Sequence, residues 1–455
     1  MSNAQVNELK GITLFSFVKY SSFAVLLIFM VFAAAPLNAG GNSHGAGPQH
    51  GEQMHMHQGG QHDGNFYGVD NLAYYGDWDS NRVFIIDIDD MSLLTTVTDT
   101  GDGPYGVDQQ NGATAYALTR KTESVTVIEN YFIENIGKII LDHKPRSTNF
   151  NSATGFSLVS GADKVMTSLI KVNSDKVTKV FGLDEVVQPH DYGGSLATGH
   201  PLWIDDIHFF MLDRPARQIQ LWSRRHGLRS VLDTPTSVHH VFQSPLEQAD
   251  NIYYAVAEGN RDIPLSPSIL RFKVRRGQMF VTGESVLGDY APLLLNPAEM
   301  GSHHADFHPD GVHIYVGSAE GHVFVINKNS MKIVTMIETG MGSGHTTFVP
   351  GHDRAFVTNH NDTYMTVIDT TDHSWLMNIE VASSASPDYK SQAHTSSVSP
   401  DGAYFYSAAS HDGVFFEIDV ENLVVSDWLN IESEIGEDVN VLMGSFIWAG
   451  EGDGM

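Results

Sequence analysis

The feature that most constrains this chain is its self-similarity. Three stretches follow one plan: IYVGSAEGHVFVINKNSMKIVTMIET at 314–339, AFVTNHNDTYMTVIDTTDHSWLMNIEV at 355–381 and YFYSAASHDGVFFEIDVENLVVSDWLN at 404–430. Each reads as a strand, a turn of Asn, Asp or Gly, a second strand ending near Asp, a loop and a third strand. Weaker copies begin at Ala73, Ala115, Ser157, Phe209 and Tyr253, which makes eight. Ahead of most copies lies a further short strand closed by a turn such as His308-Pro309-Asp310-Gly311 or Ser399-Pro400-Asp401-Gly402.

Four strands per unit, repeated about every 35–60 residues, predict an all-β fold. The expected architecture is a β-propeller of four-stranded blades over residues 66–455. Eight blades are expected, or seven if the first or third copy is degenerate. The first copy has no inner strand of its own, and VLMGSFIWAG at 441–450 is the segment that could supply it and close the ring. The repeat resembles the YVTN-type propeller family over almost the whole region after residue 66. That resemblance implies architecture and leaves function open, because propellers host many activities.

The N-terminus reads as an export signal. Lys10 and Lys19 precede an apolar run from Phe23 to Ala35, and Leu37-Asn38-Ala39 suits cleavage. Thirteen apolar residues are short for a bilayer span of about 20. A signal peptide over 1–39 is therefore expected, with a periplasmic or secreted product that has no membrane segment after cleavage. Residues 40–65 are low-complexity Gly, Gln, His and Met, read as a disordered tail. The tail carries His44, His50, His55, His57 and His62 with Met54 and Met56 among them. Imidazoles at this density chelate Cu(II), Ni(II) or Zn(II), and thioethers add affinity for Cu(I).

Composition closes other routes. With no cysteine, thiolate metal sites, iron–sulfur clusters and disulfides are excluded. A net charge of −28 offers no basic stripe for phosphates, so nucleic acid is not an expected partner. Nucleophile motifs, phosphate loops and dinucleotide fingerprints are missing, and catalytic residues are left unassigned.

The candidate site follows from aligning inner strands on their closing turns. His240, His304 and His345 each lie five residues before a proline (Pro245, Pro309, Pro350), and His394 lies six before Pro400. His200 lies five before Asp205. Five consecutive blades thus place a histidine at one level of the channel. Two of these are doubled, as His239-His240 and His303-His304. Alternation along a strand predicts that one member of each pair faces the channel and the other the blade. Clustered neutral imidazoles are a metal-ligand set. The predicted ligands are His200, His239, His240, His303, His304, His345 and His394, with His55, His57 and His62 of the tail. His190, His322, His360 and His411, near the same end, read as hydrogen-bonded or surface residues. His143, His226, His313, His352 and His373 carry no functional assignment. Glu258 and Lys121 could face the channel, although a surface ion pair is the expected role of each.

The export signal, propeller and one histidine per blade resemble the His-ligated copper propellers of the nitrous oxide reductase and thiocyanate dehydrogenase type. That resemblance implies a copper-dependent oxidoreductase acting on a small molecule, with a periplasmic electron carrier as partner. The mobile His-rich tail also resembles propeller-type periplasmic zinc metallochaperones, which implies zinc or copper as cargo and a metal transporter as partner. A binding or adhesion scaffold without catalysis is the third reading.

Overall fold

The computed structural model describes residues 70–186, 196–302, 304–383, 385 and 391–448. The expected signal peptide and tail, with His44, His50, His55, His57 and His62, lie outside the described residues, as do His190 and His303. The described strands form eight four-stranded antiparallel sheets, which are the eight blades of a β-propeller. Blade 1 follows the prediction from the first repeat copy. Its three outer positions come from Leu72–Asp77, Val83–Asp87 and Ser92–Val97, while its innermost strand is Val441–Ile447 from the other end of the sequence. Leu72 opposes Ile447 and Tyr74 opposes Ser445 across that join.

The inner strands of blades 2 to 8 are Pro104–Asn111, Pro145–Asn151, Leu202–Trp203, Val238–Phe242, Ala305–Phe307, Ser343–Phe348 and Ser397–Val398. From each, the chain meanders outward through three more strands and crosses to the next blade. Second strands are buried on both faces. Leu72–Asp77 and Ile252–Ala257 show almost no exposure along their length, which explains their continuous apolar runs. Outer strands such as Ser374–Glu380 and Val424–Asn430 are largely exposed and carry the polar surface.

The core lies between blades. Phe242, Tyr254, Val256 and Ile269 of blade 5 pack with Ile314, Val316, Phe324 and Met331 of blade 6 in one cluster. Tyr75 and Phe84 of blade 1 pack with Tyr406 and Phe415 of blade 8 around Phe446 and Trp448, so the seam where the ring closes is as apolar as any other.

In five of the eight blades one residue acts as a peg. In five blades a four-residue loop joins the third and outer strands, and its last residue has positive φ: Met91, Ile133, Met331, His373 and Leu423. A bulky side chain in this left-handed region is a strained choice that packing must justify. Four of the five are buried apolar residues, between 5% and 9% exposed, inserted into the cluster of the preceding blade. The fifth is His373.

Candidate metal centre

The histidines reach one place because the blades are rotations of one another. His200 sits two residues before the inner strand of blade 4, and His239 and His240 lie inside that of blade 5. His304 immediately precedes the inner strand of blade 6, His345 is within that of blade 7, and His394 is three residues ahead of that of blade 8. Their rings form a continuous run. His200 and His239 have centroids 5.0 Å apart, His200 and His304 5.3 Å, and His239 and His304 5.0 Å. His304 continues to His345 at 3.8 Å, His345 to His394 at 5.9 Å, and His394 to His360 at 4.1 Å. His200, His240, His304, His360 and His394 are buried; His239 and His345 are half-buried.

Within this run, His200, His239 and His304 each place one ring nitrogen within 4.8 Å of the other two. Nitrogens on a tetrahedral ion with bonds of 2.0–2.1 Å stand about 3.4 Å apart. The three rings therefore fit a shared transition metal after small side-chain rotations. Copper and zinc both accept imidazole nitrogen.

The doubled histidine of blade 5 departs from the simple alternation. The pairing of Val238–Phe242 with Ile252–Ala257 shifts register between Val238 and His240. Both rings consequently approach His304, His239 at 5.0 Å and His240 at 5.2 Å. His239 is the member grouped with His200 and His304, a choice between the two that the turn alignment left open. His240 stacks on Phe242 at 5.4 Å.

Charged residues of blades 2 to 5 complete the surroundings. Glu258 lies at the end of the second strand of blade 5, and its Oε1 is 2.7 Å from His239 Nδ1. Its Oε2 accepts from Arg214 Nη2 at 2.5 Å. Glu258 is therefore a partner of the ring and not a surface ion pair. A carboxylate on Nδ1 fixes the imidazole's tautomer, as around a metal-binding histidine, with the Nε2 lone pair as acceptor; a metal there would displace the Arg146 guanidinium from that nitrogen. Arg146, in the inner strand of blade 3, is 1% exposed; it donates to the Thr198 carbonyl and lies 3.1 Å from His239 Nε2. Burial pulls its guanidinium well below its ordinary pKa, and the neighbouring charges of Arg214 and Arg120 add to that. Arg120 of blade 2 lies 3.2 Å above the ring of Tyr105, which itself stands 6.0 Å from His394. Histidines thus fill blades 4 to 8, and arginines stand in blades 2 to 4.

Other histidines separate by environment. His360, read from sequence as structural, is 3% exposed and joins the run beside His394 and His345. Its signal was position alone: it follows the second strand of blade 7, at the end where inner strands begin. His143 is fully buried, 2.9 Å from the Ser168 hydroxyl, and its pKa is lowered by burial. It is a core residue. His322 lies 3.6 Å from Glu320, and His411 is exposed. Lys121 donates to the Trp78 carbonyl at 2.7 Å and stands 3.9 Å from Asp79, a surface role as expected.

Among the described residues, no helix is long and apolar enough to cross a membrane. No family model and no curated protein matches the sequence, so the YVTN-type likeness rests on the repeat alone. Solved structures do resemble the fold. Dihydro-heme d1 dehydrogenase NirN, solved in complex with DHE, aligns with 85% of this chain and 77% of its own at a TM-score of 0.58 and 13% identity. Apo AztD from Citrobacter koseri aligns over 83% and 98%, with a TM-score of 0.59 and 12% identity. Hydrazine synthase of Kuenenia stuttgartiensis aligns over 70% and 95%, at 0.50 and 13%. At such identities the shared property is architecture, and the chain is an eight-bladed β-propeller with a histidine-lined end to its channel.

Proposed function

We propose that this chain is an exported, transition-metal-binding propeller, with copper favoured, that acts as an oxidoreductase on a small substrate. The supporting observation is the length of the imidazole run. Seven rings, His200, His239, His240, His304, His345, His360 and His394, follow one another at centroid separations of 3.8–5.9 Å. One tetrahedral ion needs four ligands, so a run of seven suits more than one ion. His200, His239 and His304 would hold one, and His345, His360 and His394 would contribute to another. Copper bound there would supply one-electron chemistry.

The chain's own residues set the conditions for that chemistry. Glu258 orients His239, and Arg214 holds Glu258 in place. Arg120, Arg146 and Arg214 outnumber the carboxylates of Glu258 and Asp108 that they meet here, which favours a small anionic substrate on the arginine side. The sequence pattern read as an export signal supports an activity in the periplasm or outside the cell, with a periplasmic electron carrier as the proposed partner.

A second reading is metal delivery, as in a periplasmic zinc or copper metallochaperone. The compact trio His200, His239 and His304 favours it, being the right size for a single ion. The His/Met tail at 40–65 suits transfer to a metal transporter.

Metal analysis of purified protein with and without residues 40–65 decides between them. Two or more coppers kept by the shortened form, with visible absorption or an electron-spin signal, are expected of the oxidoreductase. A single colourless zinc, surrendered to an acceptor only when the tail is present, overturns that reading and supports delivery. Loss of all bound metal by the shortened form, with no effect of His200→Ala, His239→Ala and His304→Ala together, rejects the ring as a metal centre.

A further inference from the structure

The opposite end of the molecule carries a second group of histidines, independent of the ring. The inner strand of blade 6, Ala305–Phe307, begins just after His304 and ends just before His308. Four residue steps of extended chain lead from one histidine to the other, about 13 Å at 3.3 Å per step. At this far end, His308, Asp310 and His313 offer ligand atoms that all lie within 4.8 Å of one another. His373 reaches the same place from blade 7, its ring 4.5 Å from His313 and 5.9 Å from His308.

His373 occupies the peg position. In blades 1, 2, 6 and 8 this positive-φ residue is Met91, Ile133, Met331 or Leu423, each buried against the preceding blade. In blade 7 alone among these five, a polar imidazole takes the apolar place, and the preceding blade meets it with two further imidazoles and a carboxylate. Packing alone calls for no histidine here.

Supporting partners surround the group. His373 Nδ1 lies 2.6 Å from the Tyr315 hydroxyl, and His313 Nδ1 lies 2.6 Å from Asp310 Oδ2. Both contacts engage Nδ1, the outer-shell arrangement in which Nε2 would serve as the ligand atom. Asp310 Oδ1 is committed to the backbone amides of Val312 and His313 at 2.7 and 3.0 Å, which fixes the carboxylate within its turn. His308 Nδ1 accepts from the Asp310 amide at 3.1 Å. Ligation through that nitrogen gives up this one bond.

We propose that His308, His313 and His373, with Asp310 as orienting or fourth ligand, form a divalent transition-metal site that clamps blade 6 to blade 7. Three imidazoles and one carboxylate suit Zn(II), and Ni(II) or Cu(II) also accept such a set. The site is distinct from the ring and stands whether or not the ring binds metal.

The test uses the full-length chain carrying His200→Ala, His239→Ala and His304→Ala, alone and combined with His373→Leu or His313→Gln. His373→Leu restores the residue type found at equivalent pegs, so its metal-free melting temperature is expected to stay level or rise. Zinc chloride is titrated, followed by metal content after gel filtration and by thermal melting. The parent is expected to hold one more Zn(II) per chain than either combined variant, and its zinc-induced rise in melting temperature should be lost in both. Apparent affinity for that ion should fall by more than about tenfold. Equal zinc content and equal melting shifts in all three proteins overturn the proposal. They do so without touching the ring, whose His200, His239 and His304 are absent from, and whose other histidines are the same in, all three proteins.

Discussion

At the scale of single residues, Glu258 carries the most specific expectation. It joins a buried arginine to a ring histidine through contacts of 2.5 and 2.7 Å, so its loss frees His239 to rotate and leaves Arg214 without that carboxylate. Glu258→Gln is expected to weaken metal binding at the ring by about 10- to 100-fold, the usual cost of removing an orienting carboxylate. Competition with a chromophoric chelator measures this; affinity equal to that of the unaltered chain would remove Glu258 from the centre. The sequence marked Glu258 as able to face the channel, yet gave no reason to pair it with His239. The two lie on adjacent strands, nineteen residues apart, and meet only because the inner strand of blade 5 shifts register between Val238 and His240. Arg146 was equally hidden, since a lone arginine in a strand carries no motif.

At the scale of elements, the pegs show how local strain is offset by packing. Leu423 adopts φ of +55° and fills a pocket among Phe356, Met365 and Ile418. Leu423→Ala is expected to destabilise the protein by about 2–5 kcal/mol through the cavity it leaves, read by denaturant unfolding. A loss under half a kcal/mol would show that the peg is ornamental. The inner strands were readable because each leads into a turn of fixed type. His200, His240, His304, His345 and His394 could be aligned on Pro245, Pro309, Pro350, Pro400 and Asp205 with no coordinates. Which histidine of a pair enters the cluster was not readable, because alternation presumes an unbroken register. His360 was undervalued for a related reason: its neighbour His394 lies in the next blade, 34 positions away in the sequence.

For the whole molecule, eight blades and the closing C-terminal segment were legible because repetition multiplies weak local signals into one geometric requirement. Turn aspartates tie the ring's stability to pH. Asp205, Asp310, Asp401 and Asp419 all have lowered pKa values, Asp310 to about 2, through hydrogen bonds from turn amides and side chains that outweigh the opposing effect of burial. A carboxylate whose folded pKa is depressed adds stability above its unfolded value and loses that contribution as pH falls through the folded value. Replacing these four by Asn is therefore expected to lower the melting temperature at pH 6, with the deficit shrinking as pH falls from about 4 to 2. A deficit that stays constant across that interval would assign the loss to packing instead of charge.

The join in blade 1 also governs when the protein can be finished. Every histidine of the ring is synthesised before Val441–Ile447 leaves the ribosome, yet until that segment arrives blade 1 presents a bare edge along Leu72–Asp77. A product ending at Asn440 would expose this edge to any other incomplete copy, so nonsense or proteolytic loss of the last fifteen residues should yield aggregates in place of a monomer with seven sound blades.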